Sequence, residues 1–340
     1  MQYLYVLVSS PRDVYYEQFF LSLTSLRLVM PKDDVVLLCD SKTKGTLIGK
    51  RSGYERLVTK TVTVDAPLSM PQVEVSRWLK TSMRRHINDD FLFIDCDTVI
   101  MGDLSVIAAS GIEFGACLDK HSLISMHGQK DGIIANDKHL GFSSYLSNRH
   151  FNSGVIFCSD KPEVRKIFDR WHELWLFSNS RNMVRDQPSF NMAIHENLAC
   201  FTELDGIWNC QISFNGLPFF ADSKIIHYFA SDMVLNKSPF LLASDAIFKQ
   251  IKETGSIPDT AMELLGNPKA AFVLETRIVA GEDMLYVVNS SLFKALVLIR
   301  RKIPCLFWFF NHFASMVKKT AKFFAVSVSR KKDGGIKHYN

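Results

Sequence analysis

Short apolar runs alternating with helix-patterned stretches constrain this chain more than any other feature. Tyr3–Val8 is wholly apolar, as a strand covered on both faces must be. Ser10-Pro11 follows, the pattern of a helix N-cap with proline at the first helical position. Tyr16, Phe19, Phe20, Leu23 and Leu26 then recur at helical spacing up to Pro31, and Val35–Cys39 is a second apolar run ending on Asp40. Strand, helix and strand in so short a span predict a βαβ unit, because parallel strands need a crossover of about helix length.

The alternation continues. Leu57–Val64, Phe91–Ile94, Phe114–Leu118, Gly154–Cys158 and Lys224–Tyr228 are strand candidates, and Val73–Ile87, Pro162–Phe177 and Gln187–Glu196 are helix candidates. An α/β fold is expected over residues 1–240, with a mostly parallel central sheet flanked by helices. Residues 241–290 read as a mixed helical extension and 291–340 as a basic, aromatic tail. At 340 residues, with 47% hydrophobic and 22% charged, the chain can bury a large core and is not a disordered or low-complexity protein. It contains no internal repeat.

Charge is unevenly placed. Residues 291–340 hold eleven of the 40 bases and one of the 35 acids, Asp333, which leaves 29 bases against 34 acids in the first 290 residues. An acidic body with no recognisable nucleic-acid module argues against nucleic acid as a partner. The tail has seven phenylalanines and Trp308 between Phe293 and Phe324, with bases at 300–302 and 318–322. Its longest apolar run, Ile303–Phe310, is eight residues and contains Pro304, too short to span a bilayer. Aromatic and basic residues together predict segments lying on an anionic membrane surface; the alternative is a helical pair packing its apolar face on the body. The seven cysteines (39, 96, 117, 158, 200, 210, 305) form no C-x-x-C pair and sit mostly in apolar runs, which predicts free thiols in a reducing compartment. MQYLYVLVSSPRD has neither a basic leader nor a small-residue cleavage site, so it reads as a strand rather than a signal peptide. A cytoplasmic location is expected.

FLFIDCDTVI (91–100) carries the chemistry. Four apolar residues drive a central strand, and Asp95 and Asp97 arrive where it emerges. In an extended backbone alternate residues share a face, so the two carboxylates point one way, with Cys96 opposite. Ligands of open α/β sheets bind beyond the carboxyl ends of the strands. Two adjacent acids repel and are costly to desolvate without a cation, and oxygen ligands suit Mg2+ or Mn2+. The bland alternative is a solvated loop. A sharper one is the first motif of haloacid-dehalogenase-like phosphatases, in which Asp95 would be the nucleophile and Asp97 the acid or base. Those enzymes usually begin with that motif and later show G-D-x-x-x-D. Here 94 residues precede the pair and no such acidic site follows.

Four further segments accompany it: VSRWLK (75–80), HFNSGVIF (150–157), DQPSFN (186–191) and KIIHYFAS (224–231). In order and spacing, the five resemble glycosyltransferase family 8 over residues 1–240. The resemblance implies a GT-A-like, Rossmann-related nucleotide-diphospho-sugar transferase fold and a retaining, metal-dependent reaction on a UDP-sugar. By that resemblance Asp95, Asp97 and His227 hold Mn2+ or Mg2+, although a histidine between Ile226 and Tyr228 is otherwise more often structural. Ser9, Ser10, Asp13 and Asp40 would line the uracil–ribose pocket, with turn and capping chemistry as the local alternative. Arg77 and Lys80 would reach the phosphates or sugar, against a solvated basic face shared with Arg84 and Arg85. Cys96, Asn152, Ser153 and Lys237 complete the donor site, and Gly154 would let backbone approach a ligand. Asp186 and Gln187 would lie against the donor sugar; locally, Asp186 reads as the N-cap of a helix.

The expected function is transfer of a hexose, glucose or galactose, from a UDP-hexose to a saccharide or glycolipid acceptor. The expected setting is lipopolysaccharide or other cell-surface polysaccharide synthesis at the inner face of a bacterial cytoplasmic membrane. Retention is expected by departure and attack on one face, since glutamine is a poor nucleophile. VSSPRD lacks the Gly-rich loop of a sugar-nucleotide pyrophosphorylase. A non-catalytic, membrane-peripheral glycan-binding protein is the other class to separate.

Overall fold

The computed structural model describes residues 1–67, 69–228, 241–273 and 282–317. The chain divides into two compact units, Met1–Arg277 and Ile278–Asn340. In the first unit the chain runs β1 (Gln2–Leu7), α1 (Tyr15–Val29), β2 (Val35–Cys39), α2 (Ser41–Thr46), β3 (Lys60–Thr63), α3 (Gln72–His86), β4 (Phe91–Ile94) and β5 (Thr98–Ile100). It continues with β6 (Phe114–Leu118), α4 (Lys130–Leu140), β7 (Phe151–Cys158), α5 (Pro162–Asn179), α6 (Gln187–His195), β8 (Phe201–Glu203), β9 (Cys210–Gln211), α7 (Leu217–Phe220) and β10 (Ile225–His227). Helices α8 (Asp245–Thr254), α9 (Asp259–Gly266) and α10 (Pro268–Val273) follow.

Seven strands form the central sheet in the order β3-β2-β1-β4-β7-β6-β8. Strands β3, β2, β1 and β4 are mutually parallel, as is the pair β6–β8, while β7 runs antiparallel to both neighbours. This is the α/β architecture expected, a mostly parallel central sheet flanked by helices. The apolar runs have no polar face because both sides are covered. Tyr3, Tyr5 and Leu7 pack with α1, whereas Leu4 and Val8 pack with Leu79 and Met83 of α3 and Trp171 of α5. A second sheet, β5-β10-β9, leaves the main one directly after the acid pair.

Two local expectations are corrected. Ser10-Pro11 does not start α1, which begins at Tyr15 without a side-chain cap. The Asp13 carboxylate instead accepts bonds from Ser9 Oγ (2.7 Å), Ser10 N (2.7 Å) and Oγ (2.9 Å), and Gln72 Nε2 (2.8 Å), and these hold residues 9–13 in a turn. The Asp95-Cys96-Asp97 segment is not extended but bends between β4 and β5.

In the second unit, α11 (Glu282–Asn289) and α12 (Ser291–Lys302) are followed by helical residues 304–317. No helix among the described residues is long and apolar enough to cross a membrane. Trp308, Phe309 and Phe313 are exposed, and Arg300, Arg301 and Lys302 close α12.

Candidate functional site

The bend after β4 creates the site. β5 departs from it and pairs antiparallel with β10 in a register that sets His227 opposite Thr98, next to Asp97. Tyr228 N–H donates to the Asp97 carbonyl at 3.2 Å and closes the corner. One ligand atom each from Asp95, Asp97 and His227 then lies within 4.8 Å of the others, and His227 Nε2 is 3.2 Å from Asp97 Oδ1. The convergence that an extended backbone was expected to give is produced by a bend and a second sheet.

Electrostatics inside this group is mutual. Burial alone would raise the Asp97 carboxyl, but the His227 imidazole outweighs it and holds the group below the usual carboxylate range. Burial would likewise lower His227, and Asp97 more than reverses that. For Asp95 burial wins over Lys80, and its carboxyl is pushed up. Two carboxylates and an imidazole with an unprotonated Nε2 form a donor set suited to a divalent ion.

A second charged group borders the first. Asp186, at the start of α6, makes no capping bond with its side chain. The carboxylate points into the site, where it accepts from Ser153 Oγ at 2.8 Å and pairs with Arg77 Nε at 3.1 Å and Lys80 Nζ at 3.6 Å. Lys80 Nζ also lies 3.2 Å from Asp95 Oδ1, so one buried ammonium links the two acidic groups. Lys80 is 5% exposed, which excludes the solvated basic face for it. Arg84 and Arg85 on the same helix turn elsewhere, to the Ile87 and Asp89 carbonyls and to Asp169. Gln187 is half-buried beside Asp186 in the first turn of α6.

The remaining expected residues are distributed around this centre. Ser9, Ser10 and Asp13 form the turn after β1, and Arg51 Nη2 donates to Ser9 Oγ at 2.5 Å. Asp40 caps α2 by accepting from Thr43 N at 3.0 Å, its local alternative. Cys96 donates its thiol to the Val6 carbonyl at 3.6 Å. Asn152 turns its amide inward, to Asp119 Oδ1 and Asn209 Nδ2, each at 2.9 Å. Lys237 lies outside the described residues. Gly154 is required by close approach: a Cβ there would be 2.5 Å from His227 Cε1 and 2.9 Å from Asp95 Oδ2.

Residues 88–232 match the family model described as Glycosyl transferase family 8. These residues carry a glycosyltransferase family 8 domain match. The match begins after α3 and takes in the acid pair, Asp186 and His227. No curated protein was found to match the chain. Among solved structures, the chain is similar to mouse xyloside xylosyltransferase 1 in its apo form, at 12% identity over 68% of this chain and 99% of that one, TM-score 0.45. A complex of the galactosyltransferase LgtC with donor and acceptor sugar analogues is 13% identical over 77% of this chain and 99% of that one, TM-score 0.47. Apo GlyE of Streptococcus pneumoniae TIGR4 is 13% identical over 83% of this chain and 65% of that one, TM-score 0.44.

Sequence reasoning missed several polar residues beneath the site of this glycosyltransferase. Asp119 accepts from His127 Nε2 at 3.0 Å, and Asn209 Oδ1 meets His227 Nδ1 at 3.0 Å. Gln211 clamps the left-handed turn at Lys120 (φ 51°) and His121 (φ 50°), accepting from Lys120 N and donating its own N–H to His121 Nε2. Burial lowers His121 to about 4, consistent with a neutral ring that accepts. Asn209, set in GIWNCQ between Trp208 and Cys210, had one weak signal: an amide inside an apolar stretch needs partners.

Proposed function

We propose that this protein transfers a hexose, glucose or galactose, from a UDP-hexose to a saccharide or glycolipid acceptor, with retention of configuration and dependence on a divalent ion. The observation that carries this is the convergence of Asp95, Asp97 and His227 beside the Asp186–Arg77–Lys80 cluster. A divalent ion such as Mn2+, held by the first three, would supply positive charge to the departing diphosphate. The chain's own residues do the rest. Lys80 keeps Asp95 and Asp186 together against their repulsion and adds a cation near the phosphates. Arg77, partly exposed, reaches from Asp186 towards the same space.

Asp186 is better placed to stabilise positive charge developing on the sugar than to attack it. Oδ1 is paired with Arg77, and Oδ2 accepts from Ser153 and pairs with Lys80. Burial would raise this carboxyl, yet Lys80 and Arg77 hold it below the usual range, which weakens it as a nucleophile. This favours departure of the diphosphate and attack by the acceptor on one face, with the leaving phosphate taking the acceptor's proton.

The acceptor is proposed to be a growing cell-surface saccharide, such as lipopolysaccharide, met at the inner face of a bacterial cytoplasmic membrane. Exposed Trp308, Phe309 and Phe313 near Arg300, Arg301 and Lys302 support this, since each base near an anionic surface contributes about 1 kcal/mol. Calorimetric titration of UDP with and without Mn2+, followed by a screen of UDP-sugars for metal-dependent hydrolysis, tests the reading. UDP binding indifferent to Mn2+ would count against it.

A further inference from the structure

We propose that Asn209 is a positioning residue that holds His227 in the tautomer able to bind a metal. The inference rests on the reading of Asp95, Asp97 and His227 as metal ligands. A side-chain amide can be placed either way round, so its orientation must come from neighbours with only one possible role. Two backbone N–H groups supply that information here.

The first is Gly154 N–H, which donates to Asn152 Oδ1 at 2.9 Å. Asn152 therefore presents Nδ2 to its other partner, Asp119 Oδ1, at 2.9 Å. The second is Gln129 N–H, which donates to His127 Nδ1 at 3.0 Å. His127 Nε2 then carries the ring proton and donates to Asp119 Oδ2 at 3.0 Å. Asp119 thus receives a donor on each oxygen, as an ionised carboxylate requires.

Asn209 lies 2.9 Å from Asn152 Oδ1 and 3.0 Å from His227 Nδ1. Asn152 Oδ1 is an acceptor by virtue of Gly154, so the Asn209 atom facing it is the donor Nδ2. The Asn209 atom facing His227 is then the oxygen, which can only accept. His227 Nδ1 must carry a hydrogen. Once the ring is neutral, Nε2, the nitrogen on the Asp97 side, is left with the lone pair a metal needs. Asn209 and Asn152 are 0% and 4% exposed, so this chain of bonds is shielded from solvent. Gly154 serves twice: its missing side chain admits the His227 ring, and its N–H sets the direction of the chain of bonds behind it.

The test uses Asn209→Leu, which keeps the volume and removes the acceptor, beside Asn209→Asp, which keeps an acceptor for Nδ1. Nitrogen-15 NMR of the His227 ring, in metal-free protein at a pH where the ring is neutral, reads the tautomer. Calorimetry with Mn2+ in the presence of UDP reads the affinity. Wild type and Asn209→Asp are expected to show Nδ1–H, and Asn209→Leu to lose that preference with a fall of about 10–100-fold in Mn2+ affinity. An Asn209→Leu protein that keeps Nδ1–H and normal Mn2+ affinity overturns the proposal. Should Asn209→Leu fail to fold, an Nε2–H ring in Asn209→Asp overturns it and Nδ1–H supports it. Wild-type protein that binds no Mn2+ overturns the metal reading itself, and this proposal with it; normal binding by Asn209→Leu overturns only the role of Asn209.

Discussion

Gly154 and His227 meet so closely that any β-carbon at residue 154 would sit 2.5 Å from the imidazole Cε1. That position belongs to β7, the antiparallel strand beside β4, and its carbonyl accepts from Asp95 N at 2.8 Å. One glycine therefore gives room to two of the three proposed metal ligands. Gly154→Ala should displace the His227 ring, lower stability by about 1–3 kcal/mol and weaken Mn2+-dependent UDP binding. Denaturant unfolding and calorimetry check both; an alanine protein with wild-type Mn2+ response would refute the crowding argument.

Asp97→Asn and His227→Ala should each abolish metal-dependent turnover of the UDP-sugar while the fold is retained. Circular dichroism and a release assay for UDP decide this together. Near-normal transfer by either variant would mean the metal site is misassigned.

The stability of the metal-free protein should depend on pH through the Asp97–His227 pair. His227 is raised above its ordinary value, so its contribution is complete below that value and is lost as pH climbs through the shifted one. Asp97 is depressed, so its contribution is present above the ordinary carboxylate value and disappears as pH falls through the lowered one. Stability from the pair should peak between the two titrations. Mn2+ affinity should rise over the alkaline limb, because a protonated Nε2 cannot coordinate. Urea unfolding and Mn2+ titration at stepped pH read both trends; affinity that falls across the imidazole titration contradicts them.

No hexose should be found covalently attached to Asp186 under turnover. Intact-protein mass spectrometry after rapid quenching with a UDP-sugar measures this directly. A trapped adduct on Asp186 would replace the same-face mechanism with a double displacement.

Deleting residues 291–340 should leave an enzyme that still binds UDP and no longer floats with vesicles containing anionic lipid. Flotation of the full chain should weaken as salt rises, since the attraction is screened. Loss of the fold on deletion would favour a tail that packs on the body.

Much of the fold was legible in the sequence. Tyr3–Val8, Val35–Cys39 and Phe91–Ile94 could be read as strands because burial on both faces forces every residue to be apolar. The start of α1 was misread because Ser10-Pro11 carries a local capping signal, whereas the turn there is held by Asp13 with a bond from Gln72, 59 residues away. Asp186 invited the same error. Its neighbours in sequence describe a helix cap, and its partners in space, Ser153, Arg77 and Lys80, come from β7 and α3.

The sequence alone determined the alternation of strands and helices, the acid pair at a strand end, and the resemblance to glycosyltransferase family 8 that the family model matches over residues 88–232. These are carried by hydrophobic period and by short contiguous motifs. Only the tertiary structure decided which way Asp186 points, why residue 154 must be glycine, and which side chains stand behind the His227 ring. Each of those depends on hydrogen bonds or contacts between residues far apart in the chain, such as His227 with Asn209 and Asn152 with Asp119. Their donors and acceptors acquire a direction only when the backbone has brought them together.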